Sequence, residues 1–170
     1  DGLQVGDEVD ADLVIANGCE CTVTSLDDPA GPVQAYGPDL DTNCDGADGV
    51  VTASIYVAPD GNDGWAGSPM RPLTTIAAAI DLALSSLETD NPRPDIFIVS
   101  GTYIETLHIP DGVSLHGGYR NDFLGLDPDG FITQVVASDP DEAPGGAAMI
   151  LDETGQSTTT IEGLHVQGAD

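Results

Sequence analysis

The chain has 170 residues and an extreme charge balance, 30 acidic side chains against 3 basic ones, for a formal net charge of -27. A phosphate backbone needs a basic footprint, so nucleic-acid binding is close to excluded, and anionic membrane surfaces are disfavoured on the same ground. Hydrophobic residues still make up 40% of the sequence, in short alternating runs unlike those of an acidic disordered chain, and no apolar run approaches the roughly 20 residues of a membrane-spanning helix.

In chain order, residues 1–50 form a Cys/Asp-rich segment holding Cys19, Cys21 and Cys44 and neither lysine nor arginine. It contains one strand-like run, Ala11 to Ile15, and a Pro- and Asp-rich loop, Asp27 to Asp39. Residues 51–170 are expected to form the main body. Val50 to Ala58 reads as a first strand. The next segment, 59–72, is a loop with turn signals at Asp60-Gly61, Asp63-Gly64 and Ser68-Pro69. A helix is predicted over about 74–87, with Ile76, Ile80, Ala83, Leu84 and Leu87 on one face and Thr74 or Thr75 as cap. Asn91-Pro92 forbids its continuation. Beyond it the hydrophobic period falls to two, in runs at 96–99, 107–109, 113–116, 132–137, 147–151 and 159–166, each ended by Gly, Pro or Asp. Strands this short need stacking to be stable, each pairing with the next and burying one face in a common core.

Cys19 and Cys21 are too close to pair with each other, so a bridge joins Cys44 to Cys21 or to Cys19. A bridge implies an oxidising, extracytoplasmic setting. Zinc is the competing use, but three cysteines without a nearby histidine are a poor ligand set. Asp39, Asp41, Asn43, Asp45 and Asp48, with Gly46 for a sharp turn, have the alternating oxygen donors of a calcium loop. Thr52 stands where a complete EF-hand would need Glu, so a single clamped loop is expected; the competing reading is a solvated Asp-rich turn. Asp60, Asn62 and Asp63 offer a weaker cation site, for which an ordinary turn is preferred. His108, His116 and His165 each lie between apolar neighbours and are expected to face outward, on polar positions of half-buried strands rather than as a metal site. Gly112 to Gly117 lacks the spacing of a serine-hydrolase elbow.

Tyr56-Val57, Asp60-Gly61, Asp63, Gly67, Pro72-Leu73, Thr75-Ile76 and Ala79-Ile80 form a first cluster of family-like residues. Gly101-Thr102-Tyr103 with Glu105, Gly112-Val113, Leu115 and Gly117-Gly118-Tyr119 form a second. Together they resemble the opening of secreted bacterial right-handed β-helix proteins of the pectin-lyase-like superfamily, over about 65 of 170 residues. Trp65-Ala66 departs from the Asn-Pro more frequent there. The Asp39 to Gly49 segment is similar to an Asn-Cys-Asp-Gly element that precedes such β-helices in surface proteins of myxobacteria-like bacteria. The resemblance implies a mainly β fold, a right-handed parallel β-helix (solenoid) whose N-terminal end is capped by the 74–87 helix.

The expected function is an extracellular or cell-surface, bacterial structural or adhesive module, stabilised by calcium and stacking head-to-tail on copies of itself into a fibre, or binding surface glycans. The chain opens with Asp1 and no signal peptide, as expected of a mature sequence. The alternative is the N-terminal part of a polysaccharide-active lyase or hydrolase whose catalytic rungs lie beyond residue 170. A lyase needs a basic residue to take the substrate's proton; Arg93 and Arg120 are the candidates and neither lies in a lyase motif. An enzyme is the less favoured reading, with no catalytic residue named and no membrane insertion expected.

Overall fold

A computed structural model describes residues 4–9, 21–26, 42–44, 49–138, 144–152, 155 and 157–169. Strands β1 (Glu8–Val9) and β2 (Cys21–Thr22) pair antiparallel. Next come β3 (Ser54–Val57), α1 (Ile76–Ser86), β4 (Asp95–Val99), β5 (Gly101–Ile104), β6 (Leu107–Pro110) and β7 (Ser114–Tyr119). The remaining strands are β8 (Thr133–Val136), β9 (Met149–Asp152), β10 (Ile161–Glu162) and β11 (Leu164–Gln167). They pair in parallel as three short sheets, in the orders β10-β7-β4-β3, β11-β8-β5 and β6-β9.

The inward residues of the sheets and the apolar face of α1 share one core that includes Ile55, Ile96, Leu115, Val135, Ile109 and Ile80. The four-stranded sheet is also covered on its other face, by an aromatic layer of Tyr56, Phe97, Tyr119 and Phe123. β3 and β7 are consequently buried along their whole length. A parallel sheet covered on both sides reads as a continuous apolar run rather than a clean alternation.

The expectation of a mainly β, right-handed parallel β-helix is corrected by this arrangement. Of the described residues 13% are helical and 35% lie in strands, divided among several short parallel sheets in a mixed α/β manner. The sheets hold four, three and two strands, so they do not repeat as one uniform unit. The β4–β7 register also shifts between Phe97 and Val99. Period-two patterning marks where strands lie and which face is apolar; how many strands each sheet gathers, and how much core the helix fills, are long-range packing outcomes.

The helix lies within its predicted range. Thr75 caps it by accepting from the Ala78 N–H, and Glu105 accepts from Ile76 and Ala77 at 3.0 and 2.8 Å. Asp63 accepts from the Thr74 and Thr75 amides and the Thr75 hydroxyl. The first-turn N–H groups, which have no partner within a helix, are thus satisfied by side chains, two of them carboxylates at the positive end of the dipole. Leu84, placed by periodicity on the apolar face, is 48% exposed, while Ala79 is buried in its stead. Glu105→Gln removes the charge and one acceptor oxygen, and should lower stability by about 1–2 kcal/mol in urea melts followed by circular dichroism.

The Cys21–Cys44 disulfide is present, with a sequence separation of 23, which settles which cysteine pairs with Cys44. Closing a loop of that length is worth about 3 kcal/mol in the chain-entropy account. Beside it, Thr24 and Ser25 donate to the Thr42 carbonyl, and Val23 is buried. Cys19, the Ala11 to Ile15 run and the Asp27 to Asp39 loop lie outside the described residues.

Candidate functional site

Four residues in register, one from each strand of the four-stranded sheet, make a column on its outer face: Tyr56, Phe97, His116 and Glu162. The Tyr56 and Phe97 rings stack at 5.4 Å and 20°, and Phe97 and His116 at 5.3 Å and 26°. The column ends on charge. His116 Nδ1 lies 2.7 Å from Glu162 Oε1, and Nε2 lies 3.2 Å from Asp95 Oδ1. An ionised carboxylate only accepts, so satisfying both partners requires both ring nitrogens to carry hydrogen. Burial of the ring lowers its pKa, but the hydrogen bonds and charges of Asp95 and Glu162 outweigh this and raise it above 6.5.

His116 was expected to face outward into solvent, and it does not: it is 4% exposed. It is on the outer face of its strand, as the alternation says, but Tyr119, Phe123 and Leu126 belong to a layer that covers that face. The other two histidines are exposed on other sheets. His108 lies 3.8 Å from Asp152, and His165 is opposite Gln134. Among the described residues no group of three His, Cys, Asp or Glu side chains is placed to hold a metal ion.

Asp95, His116 and nearby Ser114 have the residue types of an acid–base constellation, but their environment is a packed layer. Ser114 is buried and its Oγ accepts from the Thr160 N–H. With the ring at 4% exposure, a substrate has no approach to it. A shallow cleft of ≈ 190 Å³ lies elsewhere, lined by Ala77, Ile80, Asp81, Thr106 and His108.

Of the five calcium-loop residues, Asp39, Asp41, Asp45 and Asp48 lie outside the described residues; Asn43 is buried beside the disulfide. Asp63, from the second candidate cation loop, has both carboxylate oxygens occupied by N–H and O–H donors of the helix entry. Asn62 Oδ1 accepts from the Gly64 N–H. The Asn62 contact is that of a local turn, whereas Asp63 ties the loop to the helix entry 11 and 12 residues further on.

The two arginines weighed as lyase bases are committed to other work. Arg93 donates to the carbonyls of Ser54, Ala66 and Gly67, stapling the loop before α1 onto β3; burial lowers its pKa. Arg120 is paired with Asp122, which raises its pKa, the wrong direction for a group that must give up its proton to act as a base.

A different feature appears at the other end of the sheets. The inward column of the three-stranded sheet runs Tyr103, Val135, Val166, with exposures of 4%, 0% and 51%. In the two-stranded sheet, Ile109 is 1% exposed and its neighbour Leu151 is 46% exposed. Core columns therefore emerge into solvent at the edge formed by β9, β10 and β11. The opposite end is covered. The outer edge of β3 bonds to Gly67 and Leu73 of the loop, and α1 packs against β3, β4 and β6.

Comparison with family models, with curated proteins and with solved structures finds no match for this chain. No helix among the described residues is long and apolar enough to cross a membrane, and the disulfide is consistent with an oxidising compartment.

Proposed function

We propose that the chain is an extracellular, cell-surface structural or adhesive module of bacterial type, which associates with copies of itself through the β9–β10–β11 edge. The observation that carries this reading is the exposure of inward-column residues there, Val166 at 51% and Leu151 at 46%, against 0–4% for their partners deeper in the sheets. Edge strands with apolar side chains and free backbone groups invite further pairing. Since β3 is already bonded along its outer edge, copies would meet edge to edge about a two-fold axis instead of head-to-tail.

Charge sets the condition for association. At -27 the copies repel, and salt or a bound divalent cation relieves that repulsion. Calcium at Asp39, Asp41, Asn43, Asp45 and Asp48 is the cation this reading includes, since alternating carboxylate and amide oxygens suit a hard ion.

Sedimentation at rising protein concentration, with calcium in excess or chelated, tests both parts. The expected result is a calcium-favoured dimer that Val166→Asp and Leu151→Asp each return to monomer. Asp45→Ala should abolish a calcium-dependent rise in melting temperature. A monomer at the highest concentration with calcium present would sink the assembly reading, and open-ended growth into long oligomers would sink the two-fold geometry.

A further inference from the structure

β10 is two residues long and lies at the edge of its sheet. Its ladder with β7 is only two pairs long, Ile161 with Leu115 and Glu162 with His116, and beside it stand the Leu115 N–H to the Thr160 carbonyl, the Thr160 N–H to Ser114 Oγ, and the Glu162 side chain on His116. β4, which carries the other carboxylate, lies between β3 and β7 with both faces covered.

We propose that His116 is a proton-operated latch for the β10–β11 edge: with hydrogen on both ring nitrogens it ties Glu162 to Asp95 across β7, and on losing one proton it lets the edge strands detach. The reasoning is one of donor count. A neutral imidazole has one N–H, so one of the two carboxylates is left facing a lone pair. The two carboxylates then keep their charges on either side of the ring with no cation between them, Asp95 with 40% and Glu162 with 25% of the side chain exposed. The weaker element yields, and that is β10. β11 follows it after one residue, Gly163.

The charged groups facing the ring are Asp95 from β4 and Glu162 from β10. The stacked neighbour from β4 is Phe97, and β3 contributes Tyr56, one ring further along. No other charge meets the ring in these contacts to offset the loss of its proton. The direction of the effect follows from the raised pKa. The stabilisation is fully present below the detached-state value of 6.5, and is lost as pH rises through the higher value of the latched ring.

The latch is independent of whether the edge meets another copy, and its test uses dilute monomer. Amide exchange, corrected for intrinsic rates, is followed at Leu115 and Ala137, which donate to the carbonyls of Thr160 and Gln167. Leu73, bonded to Tyr56 at the far end, is the control. Protection at Leu115 and Ala137 should fall by up to tenfold per pH unit above 6.5 and then level off once the latched ring has titrated, with Leu73 unchanged. Imidazole nitrogen shifts should show the ring keeping its second hydrogen to higher pH than the detached ring would, because its pKa is raised. Glu162→Gln, which keeps the shape and removes one charge, should lower the ring's midpoint, and His116→Gln should flatten the exchange profile. A ring already neutral at pH 6.5, or a protection profile in wild type no steeper than in His116→Gln, would overturn the proposal.

Discussion

Phe97→Ala is expected to lower stability by about 3–5 kcal/mol, the range for a fully buried aromatic cut back to a methyl group. Phe97 is 0% exposed and lies at the centre of the aromatic layer. It stacks on Tyr56 and on His116, and it meets Tyr119 edge-on at 5.3 Å. Beneath it Gly49, at φ 80, comes so close that a Cβ there would stand 2.6 Å from the ring. The cavity would therefore border backbone on one side and three rings on the other, leaving little that can collapse into it. Urea unfolding gives the loss directly. Because the imidazole loses its stacking partner, Phe97→Ala and His116→Gln should also be non-additive in a double-mutant cycle. A loss under about 1 kcal/mol would mean that this layer is not packed as described.

Gly163→Ala should cost about 2–4 kcal/mol, from a strained backbone and a blocked approach together. Gly163 has φ 65, where an L side chain is disfavoured, and its Cβ would fall on the carbonyl of Gly117 in β7. Gly117 is restricted in return, since a Cβ there would run into Leu164 and the Gly163 carbonyl. Backbone meets backbone at this point, so neither side can give way by changing a rotamer. Gly145 is the comparison: its φ is 71, but nothing lies within 4 Å of the added atom. Gly145→Ala should accordingly cost only the conformational part, about 1 kcal/mol. If the two substitutions cost the same in urea unfolding, the close contact of β7 with the β10–β11 turn is not what constrains Gly163. If they differ as expected, the amides of β10 and β11 should also lose protection first in Gly163→Ala.

The site was legible only in its ingredients. Asp95 and Phe97 are two apart, as are Ser114 and His116, so period two places each pair on one face. What alternation cannot say is that the outer face is roofed. The roof comes from Tyr119, Phe123 and Leu126, and Phe123 holds a left-handed backbone conformation at φ 60, which no strand pattern announces. Nor can alternation bring in Glu162, which lies 46 residues beyond His116 and reaches it through the β7–β10 register. A histidine between apolar neighbours therefore read as exposed. Its burial and its two carboxylates are products of strand order.

Local chemistry, by contrast, was readable wherever the interacting groups are close in sequence or bound to a short-range rule. A helix over about 74–87, a cap at Thr74 or Thr75 and an end before Asn91-Pro92 followed from periodicity, capping and the missing proline N–H; the structure narrows these to 76–86 and Thr75. The strand runs after it, the loop of 59–72 and a bridge to Cys44 were legible on the same footing. Asp63, read as a turn or weak cation group, and Glu105, named only among the family-like residues, both bond the start of the helix; Glu105 does so from 28 and 29 residues away. Strand count per sheet and the mixed α/β packing were decided by tertiary structure alone. Short parallel strands carry no mark of which neighbour they will choose: their partners are selected by long-range burial, which a local pattern constrains to a face and no further.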